Sequence, residues 1–193
     1  MVLPGFVILD SIAAKGYKNG YVLSSRALTG VLKFSIGRCG MRVTDYLIQE
    51  GVDFESSIHR SVFTAQEMAA EEHVPGMQVA KPVVVKADEK FYMCVLPACH
   101  KIDLDALRSQ LGAKSIALAD EKELSKLFGD CELGAEPPLG SLYNMPTIMD
   151  QSMEDDYEIV FQAGNHEEAV RLAMADYKEL AKPKILAFSY HTT

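Results

Sequence analysis

From residue 41 onward, apolar and polar positions fall into short blocks with legible periods, each bounded by a capping residue, Gly or Pro. Thr44 is placed to cap a helix reaching Glu50, with Gly51 as its left-handed stop. Residues 52–58 read as a strand. The string Thr64-Ala-Gln-Glu67 spells a capping box, which predicts a helix to about residue 72. Residues 79–86 and 90–96 are β-branched and aromatic runs joined by Ala87-Asp88-Glu89, the pattern of a hairpin. Asp103 opens a helix that ends at Gly112, with Leu104, Leu107 and Leu111 on one face. Residues 114–118 form a short strand, and Asp120-x-x-Glu123 begins a helix that Gly129 closes.

The next stretch holds Gly134, Pro137, Pro138, Gly140 and Pro146 and has no period of its own. So long and stiff a connection inside a compact domain is usually functional. Strands are expected at 147–149 and 158–162, with Gly164-Asn165 turning the second into a return strand at 168–174. A last helix spans 176–181 before Pro183. These elements predict a mixed α/β (α+β) domain, with a mixed, largely antiparallel sheet or barrel and peripheral helices. Neither a GxGxxG string nor a Walker loop occurs, so no motif supports a nucleotide-phosphate cradle.

Residues 1–40 break the pattern. They are rich in Gly and Ser and carry five Lys/Arg against one acid. The preferred expectation is a non-native or upstream-translated extension ahead of Met41, with residues 41–193 as the domain. A packed addition through Phe6, Val7, Ile8 and Leu9 is the second reading. An organelle-targeting peptide comes third, because Pro4, Asp10 and the glycines spoil an amphipathic helix.

Charge narrows the function more than composition does. The chain has 193 residues, 48% hydrophobic and 24% charged, which excludes global disorder. It has no apolar run of the roughly 18–20 residues a membrane helix needs, so no membrane partner is expected. Residues 41–193 carry 14 basic and 26 acidic side chains, a net of −12. That balance argues against a domain gripping DNA or long RNA through many phosphates, while leaving room for a partner held at one or two. Cys39, Cys94, Cys99 and Cys131 form no CxxC pair, so they read as free thiols outside any metal or disulfide frame.

Three places carry candidate chemistry. Lys81 interrupts the apolar run Val79-Ala-Lys-Pro-Val-Val-Val85, either as a solvent-face lysine or as a cation aimed into a cleft. The loop Leu133-Gly-Ala-Glu-Pro-Pro-Leu-Gly140 brings backbone close to whatever it faces; it is either a plain turn or a cradle for an anion or oxyanion. His166 follows the Gly164-Asn165 turn and His59 ends the second element; lone histidines are more often structural than catalytic. His73 and His100 sit in polar, loop-like contexts and are expected to be exposed.

Four segments together resemble the YbaK/EbsC family, related to the editing domain inserted in bacterial prolyl-tRNA synthetases. They are His59-Arg-Ser-Val-Phe-Thr-Ala-Gln-Glu67, Val79-Ala-Lys-Pro-Val-Val-Val-Lys86, Gly134-Ala-Glu-Pro-Pro-Leu-Gly140, and Phe161-Gln-Ala-Gly-Asn-His166 leading to Ala175-Asp-Tyr-Lys-Glu-Leu-Ala-Lys-Pro183. The resemblance implies a cytoplasmic hydrolase that cleaves the ester between a wrong amino acid and its tRNA, tRNA-Pro or a related one. It implies no cofactor, no metal and no protein nucleophile. It places the catalytic roles on Lys81, Gly134 and His166, and substrate contacts on Thr64, Ala135, Pro138 and His59. The implied partners are the acceptor end of a mischarged tRNA and an aminoacyl-tRNA synthetase. The alternative is an inactive tRNA-end or nucleotide-binding module, or a synthetase accessory protein.

Overall fold

The computed structural model describes residues 41–192. The expectations for residues 1–40, Cys39 included, lie outside the described residues. The chain opens with α1 (Val43–Glu50), β1 (Phe54–Ile58) and α2 (Ala65–Glu71), then the hairpin β2 (Ala80–Ala87) and β3 (Lys90–Pro97). There follow β4 (His100–Ile102), α3 (Leu104–Leu111), β5 (Ile116–Leu118) and α4 (Glu121–Leu127). A 3₁₀ turn at Gly140–Tyr143 precedes β6 (Thr147–Asp150), β7 (Glu158–Gln162), β8 (Glu168–Ala173), α5 (Met174–Ala181), β9 (Lys184–Leu186) and β10 (Ser189–His191).

The strands form three sheets: β5-β2-β3-β6-β9, β1-β8-β7 and the pair β10-β4. Pairing is largely antiparallel; the parallel ladders are those of β6 with β3 on one side and with β9 on the other. The result is a mixed α/β domain with open sheets and no closed barrel among the described residues.

Period-2 alternation assigns the faces of the large sheet. Ala80, Val84, Met93 and Val95 look into the main core with Leu139, Phe161 and Tyr177. Val85, Cys94 and Leu96 look the other way, onto Leu107, Ile148 and Phe188. Lys81 is the register partner of Leu96 and so shares that second face. A smaller cluster of Val62, Met68, Val79, Ala98, Val160 and Ala169 fills the junction between the large sheet and the β1-β8-β7 sheet. At this junction Val79 bridges Val160 in parallel, tying the start of β2 to β7.

Local chemistry explains most boundaries. Thr64 and Asp120 both form complete capping boxes with Glu67 and Glu123, and Asp103 caps α3 through the Ala106 amide. Gly51 and Gly112 stop their helices in the left-handed conformation. Two expectations need correction. α1 begins one residue before Thr44, with Arg42 at the cap position and no side-chain cap, so Thr44 lies inside the first turn. α4 ends at Leu127 with Phe128 as its cap, the Phe128 side chain drawn into the core, before Gly129 is reached.

The stiff connection after α4 starts at the surface and turns into the interior from Ala135. Residues 135–140 are buried, and the Tyr177 hydroxyl of α5 donates to the Pro138 carbonyl at 2.8 Å. Gly140 lies against Met145 and Thr147 so closely that a Cβ there would sit 2.5 Å from the Met145 carbonyl oxygen. Among the described residues, no helix is long and apolar enough to cross a membrane.

Candidate active site

The glycine loop and the histidine hairpin are stitched into one unit. The Glu132 amide donates to the Gly164 carbonyl at 2.9 Å, and the Gly164 amide donates back to the Ala135 carbonyl at 2.9 Å. The Glu132 carboxylate accepts the His166 amide at 2.9 Å. Positive φ at Gly134 (+91°) and Gly164 (+98°) lets the two turns face each other in this way, a conformation L side chains rarely adopt.

The ring of His166 is held at both nitrogens. Nε2 lies 3.2 Å from the Leu133 carbonyl, which can only accept, so Nε2 carries a proton. Nδ1 therefore accepts from the Gln162 amide at 3.3 Å, and the same amide donates to the Val62 carbonyl at 2.8 Å. With both nitrogens engaged, the ring of His166 is fixed in place and has no free nitrogen for proton transfer. Phe63 covers its face, with ring centroids 4.7 Å apart and an interplanar angle of 49°. Phe63 is 69% exposed, an aromatic surface left open beside a buried polar group.

Gly134 faces this corner: a Cβ built there would lie 3.7 Å from His166 Cε1. Its amide donates to both carboxylate oxygens of Glu136 at 3.1 Å, so the loop carries its own anion on the donor expected to face a substrate. Glu136 is itself buried.

Lys81 is held elsewhere. Its ammonium donates to the His100 carbonyl on β4. Burial lowers its pKa from the ordinary lysine value, the nearby Lys101 charge adds to the effect, and Cys99 opposes it. Two residues beyond the Val79–Val160 bridge, the chains run on to Lys81 on one side and Gln162 on the other. The bridge thus sets the lysine strand beside the strand that carries the Gln162–His166 bond. Among the described residues, no hydrogen bond or ion pair joins Lys81 to Gly134 or His166.

The other sequence candidates have mixed fates. The Thr64 side chain is taken up by the capping box. Ala135 is fully buried, and Pro138 contributes its carbonyl to Tyr177. His59 donates from Nδ1 to the Arg60 carbonyl at 2.8 Å, while its buried Nε2 has no partner. His100, expected to be exposed, is 91% buried (9% exposed) and bonds Ser189 Oγ through Nδ1 at 2.7 Å. Cys94, Cys99 and Cys131 are free thiols; burial pushes Cys94 up to about 12 and Cys131 up to about 11.

Sequence reasoning passed over Phe63, Gln162, Glu132 and Glu136. Glu136 lies inside the loop already singled out, and its spacing from Gly134 could have flagged it as an acceptor for that amide; Glu132 stands just before the loop and takes the distant His166 amide, which no spacing shows. Phe63 precedes the cap Thr64, where an apolar residue normally staples onto the first turn, and that reading hides its place over His166.

Comparison with known proteins agrees with this architecture. Residues 59–180 match the model of the aminoacyl-tRNA editing domain. The Multifunctional Ser/Thr-tRNA deacylase ProXp-y of Escherichia coli (strain K12) is 30% identical over 152 residues, spanning 76% of this chain and 90% of that protein. A proline–tRNA ligase of Bacillus cytotoxicus is 27% identical over 88 residues, covering 46% of this chain and 15% of the ligase. In fold, the crystal structure of a candidate trans-editing enzyme for prolyl-tRNA synthetase superposes with a TM-score of 0.67 at 20% identity, over 77% of this chain and 95% of that one. The chain belongs to the aminoacyl-tRNA editing domain family. It is an enzyme of the aminoacyl-tRNA deacylase class.

Proposed function

We propose that the chain acts in trans, clearing a small hydroxyl-bearing amino acid from a mischarged tRNA. The E. coli relative, matched over nearly its whole length, is a Ser/Thr-tRNA deacylase, which supports serine and threonine as the amino acids removed. The likeness to a proline–tRNA ligase segment supports tRNA-Pro as a carrier and the synthetase as a working neighbour.

The observation that carries the reading is the stitched corner of Gly134 and His166. An aminoacyl ester is already activated, so holding it against ordered donors while water attacks is enough chemistry for a fast reaction. The carbonyl oxygen takes the Gly134 amide in place of the Glu136 carboxylate as negative charge develops on it. The water oxygen bonds to the carbonyl carbon and the bond to the ribose oxygen breaks. The water's proton passes to that leaving oxygen, so tRNA regains its hydroxyl and the amino acid departs. His166, locked at both nitrogens, holds the loop and lines the acyl group; Lys81 binds a phosphate of the acceptor end.

The test is release of amino acid from a panel of aminoacyl-tRNAs charged with serine, threonine, alanine, cysteine and proline. Serine or threonine release well above the others supports the reading. Binding of the panel without release would make the chain a tRNA-end binding module.

A further inference from the structure

The β4–β10 edge beside Lys81 has no role in the chemistry above, yet it gathers the features of a single-stranded nucleic-acid contact. Lys101 and Tyr190 are direct cross-strand partners, so their side chains share one face. Both are exposed, Tyr190 at 54%. On the opposite face His100 and His191 are paired, their rings 5.6 Å apart and edge to face. The carbonyl of His100 holds the Lys81 ammonium, which joins this edge to the lysine strand.

Two lysines and two histidines therefore converge at one edge of a chain segment with a net charge of −12. Among the described residues, neither Lys81 nor Lys101 has a carboxylate ion-pair partner. The Lys101 charge is close enough to disfavour protonation of Lys81, and Lys81 and His191 both do the same to His100. The Asp150 carboxylate acts on His100, but Lys81 and Lys101 gather without an ion-paired carboxylate in an otherwise acidic segment, which makes them complementary to an anionic ligand. An exposed tyrosine ring on a strand next to a lysine is the arrangement that stacks one base and meets its phosphate.

The geometry points to Tyr190 and Lys101 as a second nucleotide subsite, taking the unpaired nucleotide on the 5′ side of the ester-bearing adenosine. This inference rests on the proposed deacylase reading for its ligand. The fold argues for the placement too: β10 lies at the far end of the chain and still returns to pair with β4, where Ser189 bonds His100 across 89 residues.

The experiment compares three ligands: an aminoacyl-adenosine, which lacks the second nucleotide, an aminoacylated CCA trinucleotide, and the uncharged CCA trinucleotide in a direct binding titration. Tyr190→Ala is expected to weaken CCA binding and slow CCA-ester hydrolysis by about 5- to 150-fold, the range of one base stacked on an aromatic ring. It should leave aminoacyl-adenosine hydrolysis unchanged, and Tyr190→Phe should restore binding. Lys101→Ala should flatten the slope of log affinity against log salt by roughly 0.7, one phosphate's worth on a single strand. Equal CCA affinity in wild type and Tyr190→Ala would overturn the subsite and leave deacylation standing. Absence of hydrolysis by wild type on either ester would overturn the deacylase reading, while the uncharged titration would still decide the subsite. Equal loss on aminoacyl-adenosine and CCA would also overturn it, since the ring would then be serving the fold.

Discussion

The corner around His166 and the edge around Lys81 handle polar groups in opposite ways. At the corner every donor has an acceptor: Gly134 with Glu136, the His166 amide with Glu132, and the ring with Leu133 and Gln162. At the edge Lys81 and Lys101 lie near each other and, among the described residues, neither has an ion-paired carboxylate, while the Asp150 charge acts on His100. A saturated corner holds its shape before anything binds, which is what positioning a reacting ester requires. An uncompensated edge gains most when an anion arrives. On the proposed reading, the first region supplies geometry and the second affinity.

Replacing Gly134 tests the first half most severely. Gly134→Val must force a β-branched residue to φ of +91° beside His166, and single-turnover deacylation should fall on the order of 100-fold or more. If the corner acts through shape, this loss appears in the chemical step with substrate affinity little changed. A rate near wild type would remove Gly134 from the site.

Lys81→Ala should show the reverse pattern. Losing one charge-assisted contact of about 1.5–3 kcal/mol corresponds to roughly 10- to 150-fold, read as weaker tRNA binding. The melting curve should barely move, because the variant discards a half-buried charge whose hydrogen-bond partner among the described residues is a carbonyl. A change in the chemical step alone would erase the division between the two regions.

Tyr177→Phe sharpens the comparison through stability. The hydroxyl is fully buried against the Pro138 carbonyl, so its removal leaves an acceptor unpaired at about 1–3 kcal/mol. Thermal denaturation should register that loss, and the corner should loosen while the Lys81 edge keeps its affinity for uncharged CCA.

The smallest effect concerns pH. Burial lowers the pKa of His100 below 6.5, with His191 and Lys81 acting in the same sense and Asp150 against. The unfolded chain therefore takes up this proton first, and stability declines as pH falls from 6.5 toward the lowered value. Burial tends to raise Asp150, but hydrogen bonds from Ser152, Phe188 and Ser189 outweigh it and hold its pKa below 3.8. Its contribution is present above 3.8 and disappears as pH falls through the folded value. Melting temperature should thus drop in two stages on acidification, and His100→Gln should remove only the first.

Elements with local signatures were legible from residues alone. The capping boxes at Thr64 and Asp120, the β2–β3 hairpin and the Gly164 turn all lie where spacing placed them. What escaped depended on distant partners. β4, β9 and β10 have three residues each, too few for a period; β9 becomes a strand on the edge of β6, and β4 and β10 become strands by pairing with each other. His100 looked like an exposed loop residue because its partner, Ser189, is supplied by the far end of the chain. Lys81, Gly134 and His166 were each visible as candidates. The carboxylate on the Gly134 amide and the double lock on His166 were not, since neither follows from spacing.

The parallel seating of β6 has a consequence for how the protein is made. β6 needs β3, far behind it in sequence, and β9, which follows it by more than thirty residues. The Gln162–Val62 bond likewise closes over 100 residues. Such long-range pairings are slow to form, and while they are incomplete the edges of β3 and β6 stand open to misassembly with other nascent chains. The β2–β3 hairpin can fold early on its own contacts. The lysine strand is thus in place during translation, and the rest of the enzyme assembles around it once the final strand is released.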